Sequence, residues 1–343
     1  MLCEDPRSNR STVLELAELV DVTIKAHFAH WKKRLGAAAA IATLKFRRQV
    51  MLSQLAQPMI SGILMGGVYG FIAFGLSLIF GIMRIVNFAH GEFLMIGMYL
   101  SVIFWSIFHI DPFISVFVIG LIMFGCGYGF QRIFINPILR REKQREPISI
   151  LLFTAGLMLF LQNIALLIMG GDPMSISSSY SSLMINVKNL VISVPRLIVF
   201  ALSVVFSGVL YAFISRSDTG RAMRAVSQDR QAAKLMGINE YQMFALAMAI
   251  GLAIVGVAGT MLSTFFYVYP TIGAVFTLRS FVIVVLGGIG SIPGALLGGV
   301  IVGVVESVSA QFMPSAYAEV MIFIIFIFIL LVKPAGLFGL ERE

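Results

Sequence analysis

The chain has 343 residues, of which 59% are apolar and 12% are charged. Soluble domains are about 45–50% apolar and about 25% charged, so this composition excludes a soluble enzyme or a disordered scaffold and indicates an integral membrane protein. The formal net charge of +8 is then more typical of basic cytoplasmic loops than of nucleic-acid binding.

Apolar runs with at most one charged residue predict where the chain crosses the membrane. A bilayer core of about 30 Å takes about 20 apolar helical residues, because every backbone polar group must be paired within the segment. Such runs supply six spans before residue 280 and one near the C-terminus, at 55–80, 93–108, 112–135, 147–171, 197–215, 241–278 and 316–332. Together with the region between the last two, they predict an all-α, polytopic integral membrane helix bundle of about eight transmembrane spans.

The region 280–305 is uncharged but is interrupted by GGIGSIPG, so we expect one helix region broken by Gly and Pro. Neither half is expected to be long enough to cross the membrane alone. Gly and Pro are compatible with a tight turn at the surface and with a discontinuous helix pair that meets inside the bundle. Both interpretations stay open.

Loop charges predict the orientation of the bundle. The loops at 136–147 and 215–240 contain more Lys and Arg than Asp and Glu, which is typical of cytoplasmic loops. The Ser-rich loop at 171–195 contains one Asp and one Lys, so we expect it outside.

Residues 1–50 do not follow this charge rule. WKKR and KFRR precede the first span on the side that parity places outside, and STVLELAELVDVTIKAHFAHWKK has the pattern of an amphipathic helix. Two interpretations stay open: a start assigned too early, with Met51 as the first residue, or a genuine N-terminal extension. We therefore treat 1–50 and 51–343 as separate regions.

The sequence contains no catalytic signature. A phosphate-binding loop, a zinc-protease motif, a nucleophile elbow and a paired-cysteine ligand set are all absent. The two cysteines, Cys3 and Cys126, exclude a disulfide framework and a zinc cluster. We therefore expect no metal, no cofactor and no enzymatic activity, and any transport must draw its energy from elsewhere.

The densest polar cluster beside a span is RIVNFAHGEF, with Arg84, Asn87, His90 and Glu92. Charges near hydrocarbon are costly, so these side chains either face protein or water, or they form an interfacial turn with helix caps. Glu306 and Glu319 pose the same question near the last two spans, where each could also snorkel or cap a helix end.

Glycines recur at four-residue spacing, which allows two helix backbones to approach closely in lipid. We expect tight packing within one bundle at three such sets: Gly62, Gly66 and Gly70; Gly125 and Gly129; and Gly299 and Gly303.

The loop at 215–239 has the pattern of short amphipathic helices. RAMRAVSQDRQAAKLMGI places small and apolar residues on some faces and Arg or Lys on others. This pattern is typical of a solvated helix. Small residues followed by Gly237 instead suggest a knob that lies in a groove on a soluble partner, and both interpretations stay open.

Three long motifs occur in order: VYGFIAFGLSLIFGIMRIVNFAHGEFLMIGMY, TGRAMRAVSQDRQAAKLMGIN and VVLGGIGSIPGALLGGVIVGVVE. Together they resemble the permease subunits of branched-chain amino-acid ABC importers, the LivH type. The similarity runs from about Met51 to Phe338. It implies that 51–343 is a transmembrane permease domain with a coupling loop at 215–239, which forms a translocation pathway for leucine, isoleucine and valine. The alternative within the family is a urea or short-amide permease.

The resemblance also implies a location and partners. The permease would lie in the inner (plasma) membrane of a bacterial cell as a multi-pass protein, surrounded by the lipid bilayer. It would pair with a second permease subunit as a heterodimer, bind two cytoplasmic ATPase subunits that hydrolyse ATP, and receive substrate from a periplasmic substrate-binding protein.

Individual residues follow from the matching motifs. The counterpart of the family's coupling loop, which docks on the ATPase, contains Gly220, Arg221, Ala232, Ala233 and Gly237. Two further groups are assigned to the translocation pathway or to the structure around it, namely Asn87, Phe88, Ala89, His90, Gly91 and Glu92, and Gly287, Gly288, Gly290, Pro293 and Gly294. Gln231 stands where such coupling loops commonly have an acidic residue, which weakens one expected contact.

Two other classes of function compete with this one. An ion-coupled secondary transporter or channel would need carboxylates in mid-span, and the sequence offers few. An intramembrane enzyme would need the catalytic groups that the sequence lacks.

Overall fold

A computed structural model of the chain describes residues 55–141, 148–178, 180–181, 183–187 and 190–339. The N-terminal region 1–50 lies outside the described residues. Within the described part the structure is helical, with one two-stranded antiparallel hairpin in which Met184 pairs with Ser193. The all-α fold class is confirmed.

The first half of the bundle contains α1 (Leu55–Met83), α2 (His90–Phe108), α3 (Pro112–Phe130), α4 (Asn136–Arg141) and α5 (Ile148–Met169). A single π-helical turn, Gln131–Ile135, joins α3 to α4 without a break. Strands β1 (Met184–Val187) and β2 (Leu190–Ser193) follow α5. Asp111 caps α3 by accepting a hydrogen bond from the Phe113 amide at 2.8 Å.

The second half contains α6 (Val194–Arg216), α7 (Asp218–Gln228), α8 (Arg230–Leu235), α9 (Glu240–Leu262), α10 (Ile272–Gly287), α11 (Ile292–Phe312) and α12 (Ser315–Val332). In the described residues, seven helices are long and apolar enough to cross a membrane, and the apolar parts of α10 and α12 are shorter.

The helices between residues 241 and 312 differ from the predicted spans. The expected sixth span, 241–278, contains all of α9 except its first residue and the start of α10, with a non-helical segment between them. The expectation that neither half of the broken region could cross alone is wrong for the second half, because α11 has 21 residues. The prediction ended this half before Glu306, whose charge is instead matched inside the bundle by Arg279.

Helix α9 lies at the centre of the bundle, where it packs against α2 and α3. Helices α1 and α9 are the most buried of the long helices, whereas α5 and α6 are the most exposed. The exposed surface of α5 and α6 is largely aliphatic and aromatic, with Leu167, Ile168 and Val209 among the most exposed side chains. Such a surface suits lipid or another membrane helix.

Facing glycines bring α1 against α11. A Cβ atom on Gly62 would lie 2.6 Å from the Val304 Cα, and one on Gly66 would lie 2.6 Å from the Val300 Cα. The prediction of close packing is therefore confirmed for this pair of helices. It is wrong for Gly125 and Gly129, which have no atom within 4 Å of a Cβ position, because they lie on an outer face of α3.

Contacts identify the two ends of the bundle. At one end, the Arg230 guanidinium donates to the carbonyl of Met83, and the Arg84 guanidinium donates to the carbonyl of Ser227 at 3.5 Å. The loop of α7 and α8 therefore lies beside the C-terminus of α1. At the other end, the Gln57 side chain donates to the carbonyl of Val191 at 2.6 Å, beside the hairpin.

Candidate functional site

Helix α2 begins inside the protein. Asn87, His90 and Glu92 are all fully buried. The chain reaches them through a non-helical segment, 84–89, that starts with Arg84 at a φ of +53°. The Asn87 side-chain oxygen accepts a hydrogen bond from the Ala89 amide at 3.0 Å, which fixes the turn into the helix. Of the two interpretations of this cluster, the structure supports burial against protein.

Glu92 connects α2 to α5 and α10. Its Oε1 accepts a hydrogen bond from the Gln162 amide nitrogen at 2.9 Å. Its Oε2 lies 2.6 Å from the position of a Cβ atom on Gly273, so only a glycine fits there without a shift. Oε2 has no hydrogen-bond partner among the described residues. A buried carboxylate with one unpaired oxygen is a costly feature in a membrane domain and points to function.

Backbone contacts hold the start of α2 against α10. The Gly91 amide donates to the Thr277 hydroxyl at 2.8 Å, and that hydroxyl in turn donates to the Phe88 carbonyl at 3.4 Å. A methyl group on Gly91 would overlap the carbonyl oxygen of Gly273. The signature after the first span therefore contains a glycine that close helix approach requires.

His90 is the first residue of α2, and its side chain faces α1. Its Nε2 lies 3.4 Å from the carbonyl oxygen of Ile72, in the middle of α1. The His90 ring is fully buried, and among the described residues it forms no ion pair with an acidic side chain.

An open pocket of about 250 Å³ lies between α5 and the segment that precedes α10. Gln162 lines this pocket and also bonds to Glu92, so the buried carboxylate lies directly behind the pocket wall. The pocket is also lined by Asn163, Leu166, Tyr269, Pro270 and Thr271. Amide and hydroxyl groups thus share the pocket with apolar surface.

The glycine-rich break is a tight turn between α10 and α11. Gly288 and Gly290 have φ angles of +101° and +80°, which side chains rarely adopt. A methyl group on Gly287 would overlap Gly294, and Pro293 is exposed in the first turn of α11. Because Ile289 at the tip is 53% exposed, the surface-turn interpretation is the one found here. None of these residues lines the pocket.

The coupling-loop residues divide into a buried and an exposed group. Gly220 and Ala233 are buried, and a methyl group on Gly220 would overlap the Ile214 carbonyl. Arg221 and Ala232 are exposed, and Arg221 forms an ion pair with Asp218 one turn earlier. Gly237 ends α8 at a φ of +81°.

The C-terminal end of α8 and the residue that follows it present two large apolar side chains outward. Leu235 is 88% exposed and Met236 is 81% exposed, at the end of the bundle where the charged loops lie. Asp229 caps α8 by accepting from the Gln231 and Ala232 amides at 2.8 and 3.1 Å. A capped helix with an apolar tip in a polar loop suits docking on a soluble protein.

Arg230 joins α8 to the membrane helices. Its guanidinium donates to the last carbonyl of α1, at Met83, and lies 5.0 Å from the centre of the Phe244 ring. Burial lowers the pKa of the Arg230 guanidinium from its ordinary value. The contact places α8 beside the end of α1, where the segment 84–89 begins and leads to Glu92.

Sequence reasoning missed Gln162, Thr277 and Arg279. Gln162 stands in the apolar run LMLFLQNIALL, where a polar residue in a span was the available signal. Arg279 forms ion pairs with Glu306 and Glu319, at 2.9 Å each. These two carboxylates therefore face protein. Neither caps a helix, and both neutralise a cation between helices.

A family model described as "Branched-chain amino acid transport system / permease component" matches residues 59–330. The chain belongs to this permease family. The LivH permease of Salmonella typhimurium is 34% identical over 296 residues, which cover 82% of this chain and 95% of the relative. LivH of Escherichia coli K12 and BraD of Pseudomonas aeruginosa are each 33% identical with the same coverage. No solved structure gives a significant match to the permease.

These findings confirm the resemblance carried by the three motifs. The permease is a multi-pass inner-membrane protein, as its long apolar helices and its relatives indicate. The relatives are named as permease proteins of high-affinity branched-chain amino acid transport systems.

Proposed function

We propose that this permease is the membrane subunit of an ATP-driven importer for leucine, isoleucine and valine. The observation that carries the proposal is the family match over 59–330, together with high coverage of relatives named for branched-chain amino acid transport. These names favour amino acids over the urea or short-amide alternative.

Two cytoplasmic ATPase subunits would supply the energy. The sequence itself has no phosphate-binding loop, so ATP must be hydrolysed elsewhere. The exposed Leu235 and Met236 support docking of α8 in an apolar groove on such a subunit. In this proposal Gly220, Ala233 and Gly237 shape the docking surface, and Arg221 and Ala232 lie on it.

A second, similar permease and a periplasmic binding protein would complete the importer. The aliphatic outer faces of α5 and α6 support pairing with another membrane subunit. The binding protein would provide affinity, so the membrane pathway itself need not bind substrate tightly. ATP-driven closure of the ATPases would then shift the two permeases between outward-facing and inward-facing states.

We assign the pathway role to Asn87, His90 and Glu92 and a structural role to the glycine turn. Glu92 supports the first assignment because it is a buried carboxyl group with an unpaired oxygen and is bonded to a residue that lines an open pocket. Gly287, Gly288, Gly290, Pro293 and Gly294 support the second because they form a turn that lies outside the pocket lining.

Reconstitution tests the function. The permease, its partner permease, the ATPases and the binding protein are placed in liposomes, and uptake of radiolabelled leucine and urea is compared with and without ATP. We expect ATP-dependent leucine uptake that requires the binding protein. Uptake of urea alone would refute the substrate. Leucine uptake driven by an ion gradient without ATP would instead support the secondary transporter.

A further inference from the structure

The pocket beside Gln162 lies within the membrane part of the bundle. Gln162 is seven residues before the end of α5 at Met169, which corresponds to a depth of about 10 Å at 1.5 Å per residue. The hairpin that follows α5 marks this end as the one opposite the docking loop. A solute that enters from that end would meet the pocket before it reached the middle of the bundle.

Directly behind the wall of this pocket lies a buried carboxyl group with one unpaired oxygen. Glu92 is completely buried, its Oε1 is bonded to Gln162, and its Oε2 lacks a hydrogen-bond partner among the described residues. The same part of the chain contains no ion pair that involves Glu92. A hydrogen-bond donor, such as an ammonium group, is what this oxygen lacks.

We propose that the pocket is a subsite for the charged backbone of the amino acid in transit, with Glu92 and Gln162 as the partners of its ammonium group. The proposal rests on the proposed function, and it names where that substrate is held. Gln162 donates to Glu92 through its nitrogen, which leaves its carbonyl oxygen as an acceptor for the ammonium group. If the Gln162 side chain moved aside, the ammonium group would also contact Glu92 behind it.

The carboxylate of the substrate would meet donors on the same wall. Asn163 uses one N–H on the Leu159 carbonyl at 2.8 Å, and its amide has a second N–H to donate. The hydroxyl of Thr271 makes no capping bond to α10 and lines the same pocket. Leu166 and Pro270 supply apolar surface for an aliphatic side chain.

The size and charge of the pocket define the class of ligand. Drug-sized ligands occupy pockets of about 300–1,000 Å³, so a volume of about 250 Å³ suits one amino acid. A neutral amide such as urea would leave Glu92 without a cation. The subsite therefore selects for an ammonium group, while the binding protein selects the side chain.

Thermal unfolding of the assembled transporter, without its binding protein, tests the subsite directly. Leucine, its deaminated analogue 4-methylpentanoate and urea are each added at millimolar concentrations. Because a ligand that binds the folded state raises the unfolding temperature, we expect leucine to do so and the other two compounds to have no effect. An equal rise with 4-methylpentanoate would refute the role assigned to Glu92 and Gln162.

Two variants test whether the leucine-dependent rise in unfolding temperature comes from this pocket. Gln162→Leu and Asn163→Leu should each abolish the leucine-dependent rise and lower leucine transport about tenfold at saturating binding protein, because each removes hydrogen bonds to a charged group. Gln311→Leu, an exposed change in α11 outside the pocket lining, is the matched control and should do neither. Asn163 is exposed and bonds to its own helix, so its variant decides the question if Gln162→Leu fails to assemble.

The outcomes separate the subsite from the function. Leucine import by the wild type, with both pocket variants equally active, refutes the subsite and leaves the importer intact. Absence of leucine import by the wild type refutes the proposed function itself.

Discussion

Removal of Arg279 should destabilise the bundle more than removal of one of its partners. The guanidinium of Arg279 in α10 lies 2.9 Å from both Glu306 and Glu319, and it donates to the Tyr69 hydroxyl at 2.8 Å. These contacts tie α10 to α1, α11 and α12. Arg279 is 15% exposed and Glu306 is 21% exposed, whereas Glu319 is 54% exposed.

The exposures set the magnitudes. Arg279→Met leaves Glu306 as an unpaired, largely buried charge, for which the loss of one partner costs about 3–5 kcal/mol. Because Glu306 has partial access to solvent, we expect Arg279→Met to lower the free energy of unfolding by about 3 kcal/mol. This corresponds to a change of roughly 150-fold in the unfolding equilibrium, at about 1.4 kcal/mol per tenfold. Glu319→Gln should cost about 1 kcal/mol or less, because that pair is half exposed.

The double variant provides the decisive comparison. Arg279→Met combined with Glu306→Gln removes the unpaired charge, so it should recover at least half of the loss caused by Arg279→Met. Unfolding of the detergent-solubilised permease by titration with SDS, followed by circular dichroism, compares four variants with the wild type, namely Arg279→Met, Glu306→Gln, Glu319→Gln and the double variant. Equal losses for Arg279→Met and Glu319→Gln, or strictly additive losses in the double variant, would refute this reasoning.

Three further substitutions test the site and the docking surface. Gly91→Ala should lower the free energy of unfolding by more than about 2 kcal/mol and abolish leucine uptake, because the added methyl group overlaps a backbone oxygen. The control Gly125→Ala has open space around the added methyl group and should be neutral in the same unfolding assay. Leu235→Asp should weaken co-purification of the ATPase at least tenfold and leave the unfolding midpoint unchanged, since this side chain is 88% exposed; retained binding would contradict docking through α8. Arg230→Met should leave ATPase binding intact and lower the leucine transported per ATP several-fold, because it removes the bond to Met83, and an unchanged ratio would argue against this contact.

The sequence predicts the helical class and most spans because uncharged runs mark α1, α3, α5 and α6 directly. It fails between residues 263 and 306 for a physical reason. Charge was treated as the end of a span, yet Arg279 and Glu306 lie inside helices and neutralise each other. Partners separated by 40 positions, such as Arg279 and Glu319, come together only through the fold, so no local pattern reveals them.

The sequence predicted only part of the candidate site. Glu92 stood out because a carboxylate beside a span demands an explanation. Gln162 did not, because a single amide in an apolar run is usually tolerated without a special role. Its importance comes from the bond to Glu92 across 70 positions and from the pocket that it lines. The tight contact of Gly91 with α10 is likewise a tertiary feature.

The segment between α1 and α2 connects the region that contacts α7 and α8 to the buried Glu92. Arg230 bonds to Met83 and Arg84 bonds to Ser227, so α7 and α8 hold the chain on both sides of the point where α1 ends. Arg84 has a positive φ, a state that costs about 1–3 kcal/mol for a residue with a side chain and persists only where contacts maintain it. A shift of α8 would release those contacts and let Arg84 relax. Because 84–89 is not helical, the change in backbone angles would reach the start of α2, where Glu92 lies, while the rest of α2 stays fixed against α9.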